Sequence, residues 1–104
     1  MKYLFFKAMD NAREGITISD ATRPDNPLIY VNKGFMIMTG YTFEESVGKN
    51  CRYLQGAETP PEQVALIRSA ISKRESMQLE LINYKKNGET FLELLFLQYS
   101  MTRD

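Results

Sequence analysis

The strongest constraint on the fold is a pair of alternating runs that flank an Asn-Gly dipeptide near the end of the chain. Residues 77–85 and 89–99 alternate between apolar and polar side chains, which is the pattern of strands that bury one face. Asn87 and Gly88 lie between them, and this dipeptide is typical of the tight turns that join antiparallel strands. The sequence therefore predicts a long hairpin with one face in the core.

Two polar residues interrupt the apolar rows of this predicted hairpin. Asn83 lies at the end of one row, and Glu93 lies within the row opposite to it. In one interpretation, both residues are near the end of the sheet and stay in contact with water. In the other, both face the polar edge of a ligand that lies on the sheet. The apolar members of the rows are Met77, Leu79 and Leu81 on the first strand and Phe91, Leu95 and Leu97 on the second.

The preceding residues predict two more strands and several helices. Residues 15–20 are alternating and β-branched, and residues 28–32 form a second such run after a proline-rich turn, so we predict an antiparallel pair. Residues 33–47 indicate two short helices. The apolar residues near the N-terminus recur at helical spacing. We therefore expect an N-terminal cap helix over residues 1–14 and an α+β core over residues 15–104.

The clearest helix start in the sequence begins at Thr59. This residue is predicted to cap the helix, with Pro60 at the first helical position and Glu62 completing a capping box. Arg68 is the anomaly of this helix, because it lies on the apolar side. Either its guanidinium reaches past that side to water, or it binds an anion. The apolar side otherwise consists of Val64, Ile67 and Ile71.

The composition excludes several classes of protein. The 13 basic and 13 acidic residues cancel, so no net field recruits nucleic acid or an anionic membrane. No apolar run approaches the roughly 20 residues needed to cross a bilayer. The chain has no His, the commonest general base and metal ligand, so we expect neither a hydrolase nor a metal site. The single Cys excludes an internal disulfide and fits a cytoplasmic protein.

That single cysteine lies in the octet Gly48–Gln55, which reads GKNCRYLQ. Asn50 precedes Cys51, and Arg52 follows it. A thiol that serves only packing normally has apolar neighbours, because free Cys behaves as a small hydrophobe. The polar flanks therefore indicate a ligand-binding turn.

Other residues suit the same ligand. The guanidinium groups of Arg52 and Arg68 suit a phosphate, and the amides of Asn50, Gln55 and Asn83 offer donors and acceptors for the mixed edge of a heterocycle. Aliphatic residues on the helix and the hairpin could sandwich a flat ring. A flat heteroaromatic ring with a phosphate tail beside a thiol points to flavin mononucleotide (FMN). The aliphatic residues are Val64, Ile67, Ile71, Leu81, Leu95 and Leu97.

The octet also resembles the signature G-x-N-C-R-F-L-Q of the light-oxygen-voltage (LOV) domains, the flavin-binding blue-light sensors of the PAS superfamily. Every specified position matches except Tyr53, where the family has Phe. The resemblance implies that FMN is the cofactor, that Arg52 and Arg68 bind its phosphate, and that the three amides named above bind its ribityl or pyrimidine portions. It further implies a pocket lined by Thr17, Ser19, Asn26, Leu54, Val64, Ile67, Ile71, Leu81, Leu95 and Leu97.

The same resemblance implies a photochemical role for Cys51. In the family, blue light brings the flavin to its triplet state, the thiol adds to ring carbon C4a as N5 takes a proton, and the bond breaks again in the dark. This chemistry requires a protonated thiol in a poorly solvated pocket. Because the cycle turns over no substrate, we expect a sensor rather than an enzyme. The sequence does not identify the output partner.

The chain departs from the family pattern in two respects. Glu93 stands where the family usually has an Asn that bonds to the pyrimidine edge of the flavin. Burial raises the pKa of a carboxyl, so we hypothesise that Glu93 is at least partly protonated in the flavin-bound protein. The chain also ends at Asp104, before the strand that in the family lies at the centre of a five-stranded antiparallel sheet with helices on one face.

Without that central strand, we expect unpaired backbone groups at mid-sheet and an interrupted signal, because in the family this strand carries the Gln that responds to N5 protonation. Three explanations stay open. The chain is a fragment, or a strand-completing partner segment or a second copy in a homodimer fills the gap, or the sheet has rearranged.

Two other functions compete with the photosensor. A PAS-type binding or dimerisation module could have lost flavin through the missing strand and the unfavourable Glu93. A thiol-based redox sensor could use Cys51 directly, but it would need a lowered thiol pKa, for which Arg52 is the only indication in the sequence.

Overall fold

The computed structural model describes residues 8–99. Its sheet has four strands in the order β2-β1-β4-β3. The strands are β1 (Gly15–Asp20), β2 (Leu28–Val31), β3 (Met77–Tyr84) and β4 (Thr90–Gln98). The pairs β1–β2 and β3–β4 are antiparallel, whereas β1 and β4 are parallel. The predicted α+β class is confirmed.

The β3–β4 hairpin has the predicted register. Leu81 lies opposite Glu93, and Asn83 lies opposite Phe91. Gly88 in the turn has φ of 94°, a left-handed conformation that glycine adopts without strain. Asn83 and Glu93 are both 0% exposed. The interpretation in which they stay in contact with water is therefore wrong.

The parallel pairing of β1 and β4 closes the centre of the sheet. Six residue pairs form, from Gly15 opposite Glu93 to Asp20 opposite Gln98. In an all-antiparallel sheet, two strands that flank a third strand run in the same direction. The parallel direction of β1 and β4 is therefore the one expected for two strands with another strand between them. The expectation of unpaired backbone groups at mid-sheet is wrong within residues 8–99, because the two strands satisfy each other's donors and acceptors. Within residues 8–99 the sheet is therefore rearranged relative to the five-stranded family pattern, which is one of the three explanations given above.

Three helices and one short turn connect β2 to β3. They are α1 (Lys33–Thr39), α2 (Phe43–Ser46), a 3-10 turn (Cys51–Leu54) and α3 (Pro61–Lys73). Helix α1 ends at Gly40, which has φ of 85°.

The caps of α2 and α3 differ from each other. Thr42 caps α2 and forms a capping box with Glu45, as its sequence predicts. The predicted Thr59 cap of α3 is wrong, because Pro60 is the N-cap and no side-chain hydrogen bond caps it. The Thr59 hydroxyl instead accepts a hydrogen bond from the Gly56 backbone N–H at 3.0 Å. Two adjacent prolines therefore fix the start of α3 through their φ angles rather than through a capping side chain.

The sheet separates two hydrophobic clusters. The larger cluster contains side chains from the helices and from the inner face of β3 and β4, including Phe35, Leu54, Ile67, Leu81 and Leu95. The smaller cluster lies on the outer face of β1 and β4 and contains Met9, Ile16 and Ile18. Alternation along β1 explains the division, because Ile16 and Ile18 face outward while the residues between them face the larger cluster.

The N-terminal prediction falls partly outside the described residues. Residues 8–10 are helical, and Met9 packs against the outer face of the sheet. Residues 1–7 and 100–104, which include Leu4 and Phe5 of the predicted helix, lie outside the described part of the chain. Within residues 8–99, none of the helices has the length and apolar character that crossing a bilayer would require.

Candidate functional site

One cavity lies between α3, the octet turn and the inner face of the sheet, and its volume is about 330 Å³. Helix α3 contributes four lining side chains at the spacing i, i+3, i+4 and i+7, which is one face of a helix. Strand β4 contributes two alternate residues, and the octet turn contributes four. All twelve lining residues belong to the predicted set, namely Ser19, Asn26, Asn50, Cys51, Arg52, Gln55, Val64, Ile67, Arg68, Ile71, Leu95 and Leu97.

Five other predicted contacts lie outside this cavity. Leu54 and Leu81 are fully buried in the larger hydrophobic cluster. Thr17, Asn83 and Glu93 are also fully buried, and they bond to one another. The predicted ligand contacts of these five residues therefore stay predictions.

Cys51 begins the 3-10 turn and lines the cavity, with only 7% of its surface exposed. Burial, and secondarily the nearby charge of Glu93, raise the pKa of the Cys51 thiol to about 12. The thiol is therefore protonated across the physiological range. A thiol-based redox sensor needs the opposite shift, so the structure does not favour that alternative.

Arg52 pairs with Asp25 beside the cavity, and we call these two residues the mouth pair. The guanidinium donates from Nη2 to Asp25 Oδ1 at 2.6 Å and from Nη1 to Oδ2 at 3.1 Å, which is a bidentate geometry. Both side chains are exposed, at 62% for Arg52 and 63% for Asp25. The hydrogen bond from Arg52 holds the pKa of the Asp25 carboxyl below its usual range.

Asn50 holds the mouth pair in place. Its Nδ2 donates to the backbone oxygen of Asp25 at 2.7 Å, and its Oδ1 accepts from the Arg52 backbone N–H at 2.9 Å. Asn50 therefore ties the loop after β1 to the octet turn. Its amide also lines the cavity, so one remaining Nδ2 proton is the donor that it can offer to a ligand.

Arg68 presents a different guanidinium to the same cavity. It lies on the lining face of α3, and its side chain reaches solvent. Within the described residues, no carboxylate pairs with it. The side chain therefore reaches water, as the first interpretation expects, and the binding of an anion stays a prediction.

Thr17, Asn83 and Glu93 form a second polar group on the inner face of the sheet, and we call them the inner trio. The Thr17 hydroxyl donates to Glu93 Oε2, and Asn83 Nδ2 donates to Glu93 Oε1 at 2.6 Å. Burial, partly offset by these two hydrogen bonds, raises the pKa of the Glu93 carboxyl. Both donors are neutral, so no cation compensates a charge on Glu93 within the trio.

Asp25 is the one residue of the site that the sequence did not indicate. Its carboxylate contacts Arg52 across 27 positions of the chain, and a proline-rich turn gives no sign of such a pairing. The charge of Arg52 gave no such sign either, because Arg68 borders the same cavity without a carboxylate partner within residues 8–99.

Several proteins that this chain resembles are named as blue-light receptors. The profile of the PAS domain family matches residues 13–103. A blue-light-activated histidine kinase of Erythrobacter litoralis is 47% identical over 88 residues, which are 85% of this chain and 24% of that protein. A blue-light photoreceptor of Listeria innocua is 42% identical over 95 residues, which are 91% of this chain and 38% of that protein.

A solved structure from a study of a flavin analogue and the light-oxygen-voltage domain mechanism is 43% identical, with a TM-score of 0.74 over 92% of this chain and 71% of that chain. The chain belongs to the LOV domains of the PAS family. It spans about a quarter and about two fifths of the two curated relatives.

The residues of this LOV domain fit a flavin. Ser19 lines the cavity, and its buried Oγ has no hydrogen-bond partner within residues 8–99. Asn83 Oδ1, in the inner trio, is buried and equally without a partner in that part of the chain. Leaving such an atom unpaired costs about 1–3 kcal/mol. A ligand with polar groups in the cavity could bond to Ser19, and the two arginines suit a phosphate.

Proposed function

We propose that this LOV domain binds FMN in the cavity and senses blue light through a reversible bond between Cys51 and the flavin. The observation that carries the proposal is that the one thiol of the chain is buried, protonated and part of the same cavity wall as Arg52 and Arg68. FMN would supply the absorption of blue light and a ring carbon that accepts the sulfur. The relatives named as blue-light receptors support this reading.

Different residues of the cavity wall would bind the phosphate and the ring of the flavin. Arg68 and Arg52 would bind the phosphate as charge-assisted donors. The aliphatic side chains of α3 and β4 would enclose the ring and exclude water. Cys51 would supply both the sulfur that bonds reversibly to the ring and the proton that the ring takes up, and it would recover that proton when the bond breaks in the dark.

The inner trio would contact the pyrimidine edge of the ring. The trio can offer Asn83 Oδ1 to the ring as an acceptor, since Asn83 Nδ2 already donates to Glu93. A protonated Glu93 could donate to a ring carbonyl, which an ionised carboxylate cannot do. The raised pKa of the carboxyl supports the hypothesis that Glu93 is at least partly protonated in the flavin-bound protein.

Substitution of the cysteine tests the proposal. Purified protein, refolded with excess FMN if needed, is expected to absorb blue light, to bleach on illumination and to recover in the dark. Cys51→Ala is expected to abolish this bleaching completely while leaving the yellow colour, because it removes the sulfur and keeps the cavity. Tyr53→Phe, one position beyond Arg52, is the matched control and should still bleach. Bleaching that persists in Cys51→Ala would contradict the assigned role.

A second candidate is a PAS-type binding or dimerisation module that has lost flavin. Two observations favour it: both donors of the inner trio already bond to Glu93, and Asp25 already pairs with Arg52. Protein that stays colourless after refolding with FMN, yet is folded and dimeric, would support this candidate over the photosensor.

The relay of the light signal also belongs to the proposal. We infer that the domain passes its change of state to an output partner without turning over a substrate, as the longer relatives named as kinases suggest. A location in the cytoplasm, like the identity of that partner, stays a prediction from the sequence.

A further inference from the structure

In the mouth pair, the Asp25 carboxylate bonds to Arg52, which is also a proposed phosphate-binding residue. Arg52 lines the cavity, whereas Asp25 does not. Asp25 occupies the end of the guanidinium, one N–H from each terminal nitrogen. A guanidinium has five N–H donors, so the Nε edge stays available to a second anion. Any anionic group that binds Arg52 must therefore share it with Asp25.

The position of Asp25 is built into the backbone and is not a casual surface contact. Asp25 and Asn26 have φ of 63° and 48°, a left-handed conformation that Asp and Asn adopt more readily than most residues other than glycine. The Asn50 side chain fixes this loop through the Asp25 carbonyl, and a backbone bridge joins Pro27 to Asn50. The loop thus holds the exposed carboxylate against Arg52.

Arg68 gives an internal comparison, because it borders the same cavity and has no carboxylate partner within residues 8–99. The two guanidinium groups differ in how much positive charge they can direct at a ligand. Arg68 carries its full charge, and the charge of Arg52 is largely neutralised by Asp25.

From this arrangement we propose that Asp25 determines cofactor selectivity: it competes with the ligand phosphate for Arg52 and lowers the preference of the site for FMN over uncharged riboflavin. The proposal rests on the proposed binding of flavin. It assigns most of the phosphate recognition to Arg68 and gives Asp25 a role that acts through Arg52. Removing the Asp25 charge should therefore strengthen the binding of FMN and leave riboflavin unaffected.

The size of the effect follows from exposure. Charge pairs at the surface are screened by water and salt, so their contributions are modest. A phosphate carries up to two negative charges, which enlarges the penalty from a neighbouring carboxylate. We expect Asp25→Asn to raise the preference for FMN over riboflavin by about 3- to 10-fold at low salt, and by less at higher salt.

The experiment measures the dissociation constants of FMN and riboflavin for the flavin-free protein, by quenching of flavin fluorescence. Asp25→Asn is the informative variant, because Asn removes the charge and tolerates the left-handed backbone. Glu89→Gln is the matched control, since it removes a carboxylate that is ion-paired with Lys85 at the β3–β4 turn. That control should not alter the ratio of the two constants.

Arg52→Ala completes a double-mutant cycle. If Asp25 acts through Arg52, Asp25→Asn should change the ratio by less than about twofold in the Arg52→Ala background. Three results would overturn the proposal: Asp25→Asn leaves the ratio of the two dissociation constants unchanged, it weakens the binding of FMN, or it has the same effect with and without Arg52. In each case, binding of riboflavin would still support the flavin site. Wild-type protein that binds neither flavin would overturn the proposed function, and this inference with it.

Discussion

Glu93 and Asp25 have the same functional group and opposite surroundings. Each carboxylate accepts hydrogen bonds from two donors at its two oxygens. Glu93 is 0% exposed and bonds to neutral partners, so the pKa of its carboxyl is raised, mainly by burial. Asp25 is exposed and bonds to a guanidinium, so the pKa of its carboxyl is lowered. The number of hydrogen bonds therefore does not set the protonation state; exposure and the charge of the donor do.

This difference also separates stability from recognition. The inner trio lies where no water reaches, so its hydrogen bonds affect the free energy of unfolding strongly. The mouth pair lies in solvent, where an ion pair contributes little to stability but still acts on a charged ligand. We expect substitutions in the trio to change folding and substitutions in the mouth pair to change binding.

The largest predicted effect is that of Glu93→Ala. This substitution removes a fully buried side chain and leaves the Thr17 hydroxyl and Asn83 Nδ2 without their acceptor. We expect the free energy of unfolding to fall by about 2–4 kcal/mol. The measurement is the urea midpoint at pH 7.

Two exposed carboxylates serve as controls for that measurement. Glu89→Ala, on the same hairpin, and Asp25→Asn, in the mouth pair, should leave the urea midpoint unchanged within error. An Asp25→Asn loss as large as that of Glu93→Ala would erase the distinction between the two regions.

A smaller effect is expected from Glu93→Gln, and it depends on pH. Because the pKa of Glu93 is raised in the folded state above its ordinary value of 4.5, the folded domain retains a proton that the unfolded chain releases. Stability therefore falls as pH rises from that value towards the folded-state pKa, by at most about 1.4 kcal/mol per pH unit. Glu93→Gln should abolish this decline of the free energy of unfolding with pH. The variant should therefore be more stable than the wild type only at the upper end of the pH range.

Few other groups interfere in that window. The chain has no His, so no imidazole titrates between pH 5 and 7. Cys51 and Tyr53, which feel the charge of Glu93, both have pKa values raised to about 12. Urea midpoints measured at intervals across pH 5–7 check the prediction. A slope of equal size in Glu93→Gln would show that another group is responsible.

The sequence predicts the local structure and the cavity wall well, because both depend on side-chain spacing. The Asn87-Gly88 hairpin, the Thr42 cap and the lining face of α3 all follow from regular periods or short motifs. The octet predicted that Cys51 belongs to a ligand turn, and the structure places it in the cavity wall.

Other features could not be predicted, because they depend on which segments meet in space. The β1–β4 pairing is set by the direction of strands far apart in the chain, and no local pattern encodes it. The pairing of Asp25 with Arg52 joins two loops in the same way. The Thr59 cap was wrong for a different reason: the hydroxyl had a competing local partner in Gly56.

The smallest predicted effect is that of Thr17→Val, which tests whether the trio is coupled. Valine keeps the shape and removes the hydroxyl that donates to Glu93 Oε2. We expect a loss of about 1 kcal/mol in the free energy of unfolding, since one hydrogen bond of a buried acceptor disappears. Thr22→Val removes the same kind of bond, from a Thr hydroxyl to Asp20 at 2.5 Å. Because Thr22 is exposed and its backbone N–H still donates to Asp20, the loss should be smaller.

The pH dependence of Thr17→Val sharpens this last test. The Thr17 hydrogen bond lowers the pKa of Glu93, so its removal should raise that pKa further and extend the pH range over which stability declines. In the Glu93→Gln background the same substitution should leave the urea midpoint independent of pH. If Thr17→Val instead narrows the pH range over which stability declines, the hydroxyl stabilises the protonated rather than the ionised carboxyl of Glu93. The contrast between the inner trio and the mouth pair would then rest on burial alone.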